Sequence, residues 1–147
     1  MVDTFRDSVM SENVTYFDIS GNQLDQLTLC RLWSELLTLC SHRLKVLILD
    51  DNLLHEKTLG KLINTLDRCG FQSLRCLSLS HCGLSCSCQS PSDSCPLSSL
   101  FAFLSHHQPL LATLNLSHNP GLQLSHLVSL ASDSLLSLDV RGSGPLA

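Results

Sequence analysis

Leu44-Lys45-Val46-Leu47-Ile48-Leu49-Asp50-Asp51-Asn52-Leu53-Leu54 is the run of residues on which the fold turns. Counting Leu44 as position one, leucines occupy positions one, four, six and eleven, and an asparagine occupies position nine. Side chains alternate along an extended chain, so Leu47 and Leu49 share one face while Val46, Ile48 and Asp50 take the other. This is the pattern of a short strand with one buried side. Asn52 falls where the chain turns inward. Its amide carries donors and an acceptor for backbone groups of its own loop and of a neighbouring one.

The pattern recurs on both sides of this stretch. Val14, Phe17, Ile19, Asn22 and Leu24 form a copy before it, and Leu74, Leu77, Leu79, Cys82 and Leu84 one after it. A fourth copy runs Leu111, Leu114, Leu116, Asn119 and Leu122, the last displaced one residue by Pro120-Gly121. The fifth, Leu135, Leu138, Val140 and Ser143, lacks the amide. The starts at 14, 44, 74, 111 and 135 are spaced by 30, 30, 37 and 24 residues. A period of this size marks units that bury their apolar faces only against one another. Between copies the periodicity becomes helical. Leu27, Leu32, Leu36 and Leu37 make one stripe, and Leu59, Leu62, Ile63 and Leu66 a second. Leu97, Leu100, Phe101 and Leu104 make a third, and Leu124, Leu127 and Leu130 a short fourth. A Ser- and Cys-rich insert at 85–96 lengthens the third unit. Residues 1–13 read as a flank, the tail of a preceding repeat's helix with Phe5 and Val9 one turn apart, and 14–147 as one repeat domain. Only Asp93, Asp133, Asp139 and Arg141 are charged beyond Arg75, and neither end carries a polar capping element. The chain therefore reads as a segment of a longer array, and its uncapped ends predict self-association.

Four apolar positions and one amide or thiol position, recurring together about every 30 residues, resemble the leucine-rich repeat family and its helix-containing, ribonuclease-inhibitor-like subtype. The resemblance covers residues 14 to 146. It implies an α/β fold, a right-handed solenoid forming a horseshoe segment, with parallel strands on the concave face and helices on the convex face. The insert and the degenerate fifth copy depart from the family pattern. Two turns, Cys82-Gly83-Leu84 before the insert and Leu116-Ser117-His118-Asn119-Pro120, resemble the C-terminal repeats of Tonsoku-like proteins. Those are nuclear scaffolds that bind histones and act in replication-fork DNA repair, and their ankyrin repeats have no counterpart in this sequence. The resemblance implies a non-enzymatic protein–protein interaction module within a larger scaffold. The alternatives are a nuclear repair scaffold, or a regulator of the ribonuclease-inhibitor or innate-sensor kind. A ubiquitin-ligase substrate receptor fits less well, since no F-box-like segment is present.

Composition excludes several other classes. Leucine fills 34 of the 147 positions, whereas aromatics make up only 5%, too few for a base-stacking nucleic-acid platform. Nine Lys+Arg against thirteen Asp+Glu leave a net charge of −4 and no basic patch for a phosphate backbone. Apolar runs are interrupted well short of the ~20 residues that span a bilayer. The N-terminal MVDTFRDSVMSEN lacks the apolar core of a secretory signal. A cytoplasmic or nuclear setting follows, and with it eight reduced cysteines. Cys82, Cys86, Cys88 and Cys95 cluster in and beside the insert next to His81, and the Cys82–Cys86 spacing suits zinc. Cys86 and Cys88 stand too close for a usual pair, however, and no second pair follows, so a polar loop with unliganded thiols is expected. Cys30, Cys40, Cys69 and Cys76 read as small hydrophobes. No nucleophile elbow, zinc-helix motif or phosphate loop accompanies the serines, histidines and acids. His106-His107 and His42 read as helix ends. Neither enzymatic activity nor a cofactor is expected.

The candidate site is the outward row of each strand, at positions three, five, seven and eight. Across the copies these are Tyr16, Asp18, Ser20; Val46, Ile48, Asp50, Asp51; Cys76, Ser78, Ser80, His81; Thr113, Asn115, Ser117, His118; and Ser137, Asp139, Arg141. Strands ~4.8 Å apart would stack them in columns. Val46 and Ile48 would form an exposed apolar spot beside Asp18, Asp50 and Asp51, suited to a basic or amphipathic partner segment.

Overall fold

The computed structural model of the protein describes residues 15–37, 43–69, 73–85, 96–107, 110–122 and 136–142. Within them, β1 (Tyr16–Asp18), β2 (Val46–Ile48), β3 (Cys76–Ser78), β4 (Thr113–Asn115) and β5 (Ser137–Asp139) form a single parallel sheet in chain order. Each strand is centred on position four of the motif. Phe17 lies opposite Leu47, Leu47 opposite Leu77, Leu77 opposite Leu114 and Leu114 opposite Leu138, so the five starts read from the sequence are in register. Pairing continues beyond the strands. Ile19, Leu49, Leu79 and Leu116 at position six donate their N–H groups to the next unit, as do Gly21, Asp51, His81 and His118 at position eight. Neighbouring parallel strands require a crossover, and helices supply it between β1 and β2, β2 and β3, and β3 and β4. After β1 comes α1 (Gln26–Arg31), which widens into a π-helical turn over Leu32–Leu37; α2 (Glu56–Cys69) follows β2, and α3 (Pro96–His107) precedes β4.

One core lies between sheet and helices. Phe17, Leu47, Leu77 and Leu114 at position four are buried, with Ile19, Leu49, Leu79 and Leu116 at position six. The α2 stripe of Leu59, Leu62, Ile63 and Leu66 and the α3 stripe of Leu97, Leu100, Phe101 and Leu104 close it from the other side, as their spacing predicts. Three expectations need correction. Leu27 is 75% exposed; Leu32 is buried as its stripe predicts, but its companions in the core are Leu29 of α1 and Trp33 of the π-helical turn. Asp25 caps this helix by accepting from the Thr28 N–H, and the cap sets the helical phase. Pro96 opens α3 rather than ending the insert; its fixed φ and missing N–H suit a first helical turn. Leu138 is 41% exposed despite its position-four slot; among the described residues β5 pairs with β4 alone, and no described helix follows β4 as α1 follows β1 to bury Phe17. Val14, Leu124, Leu127, Leu130, Leu135, Ser143, the flank 1–13, His42, Cys40 and residues 86–95 of the insert lie outside the described residues, as do the side chains of Leu36, Leu37, His106 and His107. Among the described residues no helix is long and apolar enough to cross a membrane.

Position nine ties the units together. Asn52 is fully buried; its Nδ2 donates to the carbonyls of Ile19, Leu49 and Asp50, and its Oδ1 accepts from Leu24 N–H. Asn119 repeats the arrangement two units along, donating to Leu79, Leu116 and Ser117 and accepting from the N–H groups of Cys82 and Leu84. Cys82 between them has no amide oxygen to offer. Leu54 N–H turns to the Cys82 backbone carbonyl at 2.9 Å, while the thiol donates to Leu49 O and Ser80 O.

Candidate functional site

Register brings the outward residues into four columns running across the sheet. Position three carries Tyr16, Val46, Cys76, Thr113 and Ser137; Tyr16 is 58% exposed, and Val46, Cys76 and Thr113 are half-buried. Position five carries Asp18, Ile48, Ser78, Asn115 and Asp139. Its polar members bend back onto their own chain: Asp18, Asn115 and Asp139 each accept, through Oδ1, the N–H two residues on, from Ser20, Ser117 and Arg141 respectively. Serine is too short to do this at position 78. Asp50 replaces it from the neighbouring strand, its Oδ1 accepting from Ser80 N–H at 2.8 Å and from the Ser78 hydroxyl at 2.6 Å. Ser80 and Ser117 share a 2.9 Å hydrogen bond.

These bonds change the standing of several candidate residues. Ser78 and Ser117 are buried, their hydroxyls bonded to Asp50 and Ser80 respectively, and so present no surface for a partner. Asp50 is only half-exposed and holds a strand together. Asp139 and Arg141 form a fork, with Arg141 Nη2 donating to Oδ2 at 2.7 Å. The Arg141 side chain lowers the Asp139 carboxyl to about 2 and raises its own basicity in return. Ser20, His81, His118, Ser137 and Arg141 are exposed and Ser80 and Asn115 half-buried, and the apolar part of the open face is Tyr16 with half-exposed Val46 and Ile48, bordered by exposed Asp18 and Asp51. The apolar spot and the acidic end of the face thus lie side by side on β1 and β2.

Position eight has a property that spacing alone does not reveal. Gly21, Asp51, His81, His118 and Gly142 all adopt left-handed backbone, with φ between 56° and 73°. Asp and His are among the few non-glycine residues that enter this region readily. The residue type that could have disclosed it, glycine at the two outer copies, was present in the sequence. The turn projects the side chains outward as a rim: His81 Nδ1 lies 2.8 Å from Asp51 Oδ1, and the His81 and His118 rings meet edge to face at 6.4 Å. Among the described residues no group of three His, Cys, Asp or Glu side chains is placed to hold a metal. Burial pushes the Cys82 thiol up to about 12, and burial with the nearby Asp50 charge raises Cys76 too, so both are thiols without nucleophilic character at neutral pH. In comparisons with known proteins, no family and no curated relative matches the chain.

Proposed function

We propose that the chain is a leucine-rich repeat module of the ribonuclease-inhibitor-like kind, a solenoid segment whose exposed strand face docks a polypeptide partner and performs no chemistry itself. The observation that carries this reading is the pairing of five motif copies position for position, with buried asparagines bonded from one unit to the next. Among the described residues such stacking leaves one sheet face uncovered by helices, and on it the half-exposed Val46 and Ile48 and exposed Tyr16 adjoin Asp18 and Asp51. Apolar area supplies affinity, while the acids select a basic or amphipathic segment and speed its approach.

Affinity purification of the full chain from cells, wild type against a Tyr16→Ala/Ile48→Asp variant, tests this. The variant should lose the captured partner while keeping its circular dichroism and melting temperature. Equal capture by both proteins overturns the assignment of the face. Asp50→Lys is unsuitable as a probe, because it breaks the bonds to Ser78 and Ser80. Fractionation sorts the biological setting: chromatin association supports a nuclear repair scaffold, and a soluble cytosolic pool supports an inhibitor- or sensor-like regulator.

A further inference from the structure

The loops leaving β1, β2 and β3 line an open cavity of about 530 Å3, within the ~300–1,000 Å3 typical of ligand pockets. Its apolar wall is Leu24 and Leu53, the latter 53% exposed. Its ionisable groups are Asp25, Asp51, His55 and His81. The lining is held by hydrogen bonds. Gln26, also in the wall, donates to Leu53 O at 2.7 Å and accepts from His55 N–H and the Thr58 hydroxyl. Leu24 N–H is anchored on Asn52. A Cβ on Gly83 would collide with the Leu53 side chain, so glycine there leaves Leu53 its place. Both carboxylates are tethered through Oδ1, Asp25 by Thr28 N–H at 2.7 Å and Asp51 by His81 Nδ1 at 2.8 Å. The Thr28 bond holds the Asp25 carboxyl below its usual range, so it stays ionised.

We propose that this cavity receives the side chain of an arginine or lysine from a partner segment, its aliphatic stem against Leu24 and Leu53 and its cationic head at Asp25 and Asp51. The proposal rests on the reading of the exposed face as a docking surface, since Asp51 belongs to both. Its chemistry is that of amphipathic side chains in general: the stem buries on apolar surface while the charge meets a carboxylate as a short, charge-assisted hydrogen bond. A net charge of −4 favours the same class of partner at long range.

Nitrogen-15 spectra of the full chain, titrated with Nα-acetyl-arginine amide and Nα-acetyl-lysine amide, test the site without any partner protein. Nα-acetyl-norleucine amide, which keeps the stem without the charge, and Nα-acetyl-glutamine amide are the controls. The cationic probes should give saturable shifts centred on Leu24–Gln26 and Asp51–His55, and the controls none. Asp25→Asn/Asp51→Asn should weaken the cationic probes at least tenfold. Asparagine retains both the helix cap and the left-handed turn, so this variant folds. Leu53→Ala, at an exposed position, should weaken them severalfold with the charges intact. Equal binding of the norleucine probe, unchanged binding to the double asparagine variant, or no saturable shift overturns the proposal. Because no partner is used, failure here leaves the Tyr16→Ala/Ile48→Asp capture result to decide the docking face on its own.

Discussion

Asn52 shows how much of this architecture is resolved at single side chains. Replacing it with alanine removes the acceptor for Leu24 N–H and the donors to three carbonyls, in a site without water access. An unsatisfied buried group costs about 1–3 kcal/mol, so Asn52→Ala should lose at least ~2 kcal/mol in urea denaturation. Asn22, exposed and bonded only to Ile19 and Ser20 in its own loop, should lose less than ~1 kcal/mol on the same change. Cys82 makes a pH-dependent prediction. Its thiol is raised from 9.0 to about 12, chiefly by burial, so the folded chain holds this proton more tightly than the unfolded one. That stabilisation is complete below pH 9 and is lost as pH rises toward 12. Alkaline melts should therefore fall less steeply for Cys82→Ala than for wild type, and the native thiol should resist a disulfide reagent until the chain unfolds. The asparagine and cysteine slots were legible from spacing. That Leu54 would exchange an amide oxygen for the Cys82 carbonyl was not, because backbone groups of neighbouring units meet only after stacking.

Among the elements, α2 was the easiest to foresee and α1 the hardest. Over the fourteen residues of α2 an apolar stripe repeats often enough to fix which side is buried, and Leu59, Leu62, Ile63 and Leu66 all face the core. Leu62→Ala should cost about 2–5 kcal/mol. Gly60 sits inside the same helix with open space where a Cβ would stand. Gly60→Ala should accordingly raise stability by about 0.5–1 kcal/mol, read as a shift in the urea midpoint. The six residues of α1 give periodicity too little length to act on. Its phase follows from the Asp25 cap and the π-helical turn, which bring Trp33 inward and leave Leu27 in solvent. Leu27→Ala should change stability by no more than about 0.5 kcal/mol. The strands, three residues each, are too short for alternation alone to identify them; its recurrence in every copy of the motif did so.

Across the described residues, burial falls toward the β5 end of the sheet. Leu47, Leu77 and Leu114 are sealed between neighbours, whereas Leu138 on β5 is partly open and Leu136 beside it is 85% exposed. Leu49→Ala, in the middle, should cost about 2–5 kcal/mol. Amide exchange should be slowest at β2, β3 and β4 and faster at β5, since local opening is cheapest where few contacts must break. The exposed leucines also favour association; light scattering should show concentration-dependent oligomers, reduced by Leu136→Lys. The positions of the strands, the register and the buried rungs follow from the linear order of residues, because a motif that pairs with its own copies needs no other partner to define its alignment. The outward face is different. Whether Asp50, Ser78 or Ser117 is available to a ligand depends on which side chains adjacent strands place beside it, and those residues are 28 to 37 positions apart in the chain. The cavity beside Leu53 likewise forms only where three loops converge. Periodicity reports which side of a strand is buried, but shape and hydrogen-bond competition on the other side arise from contacts that no single repeat contains.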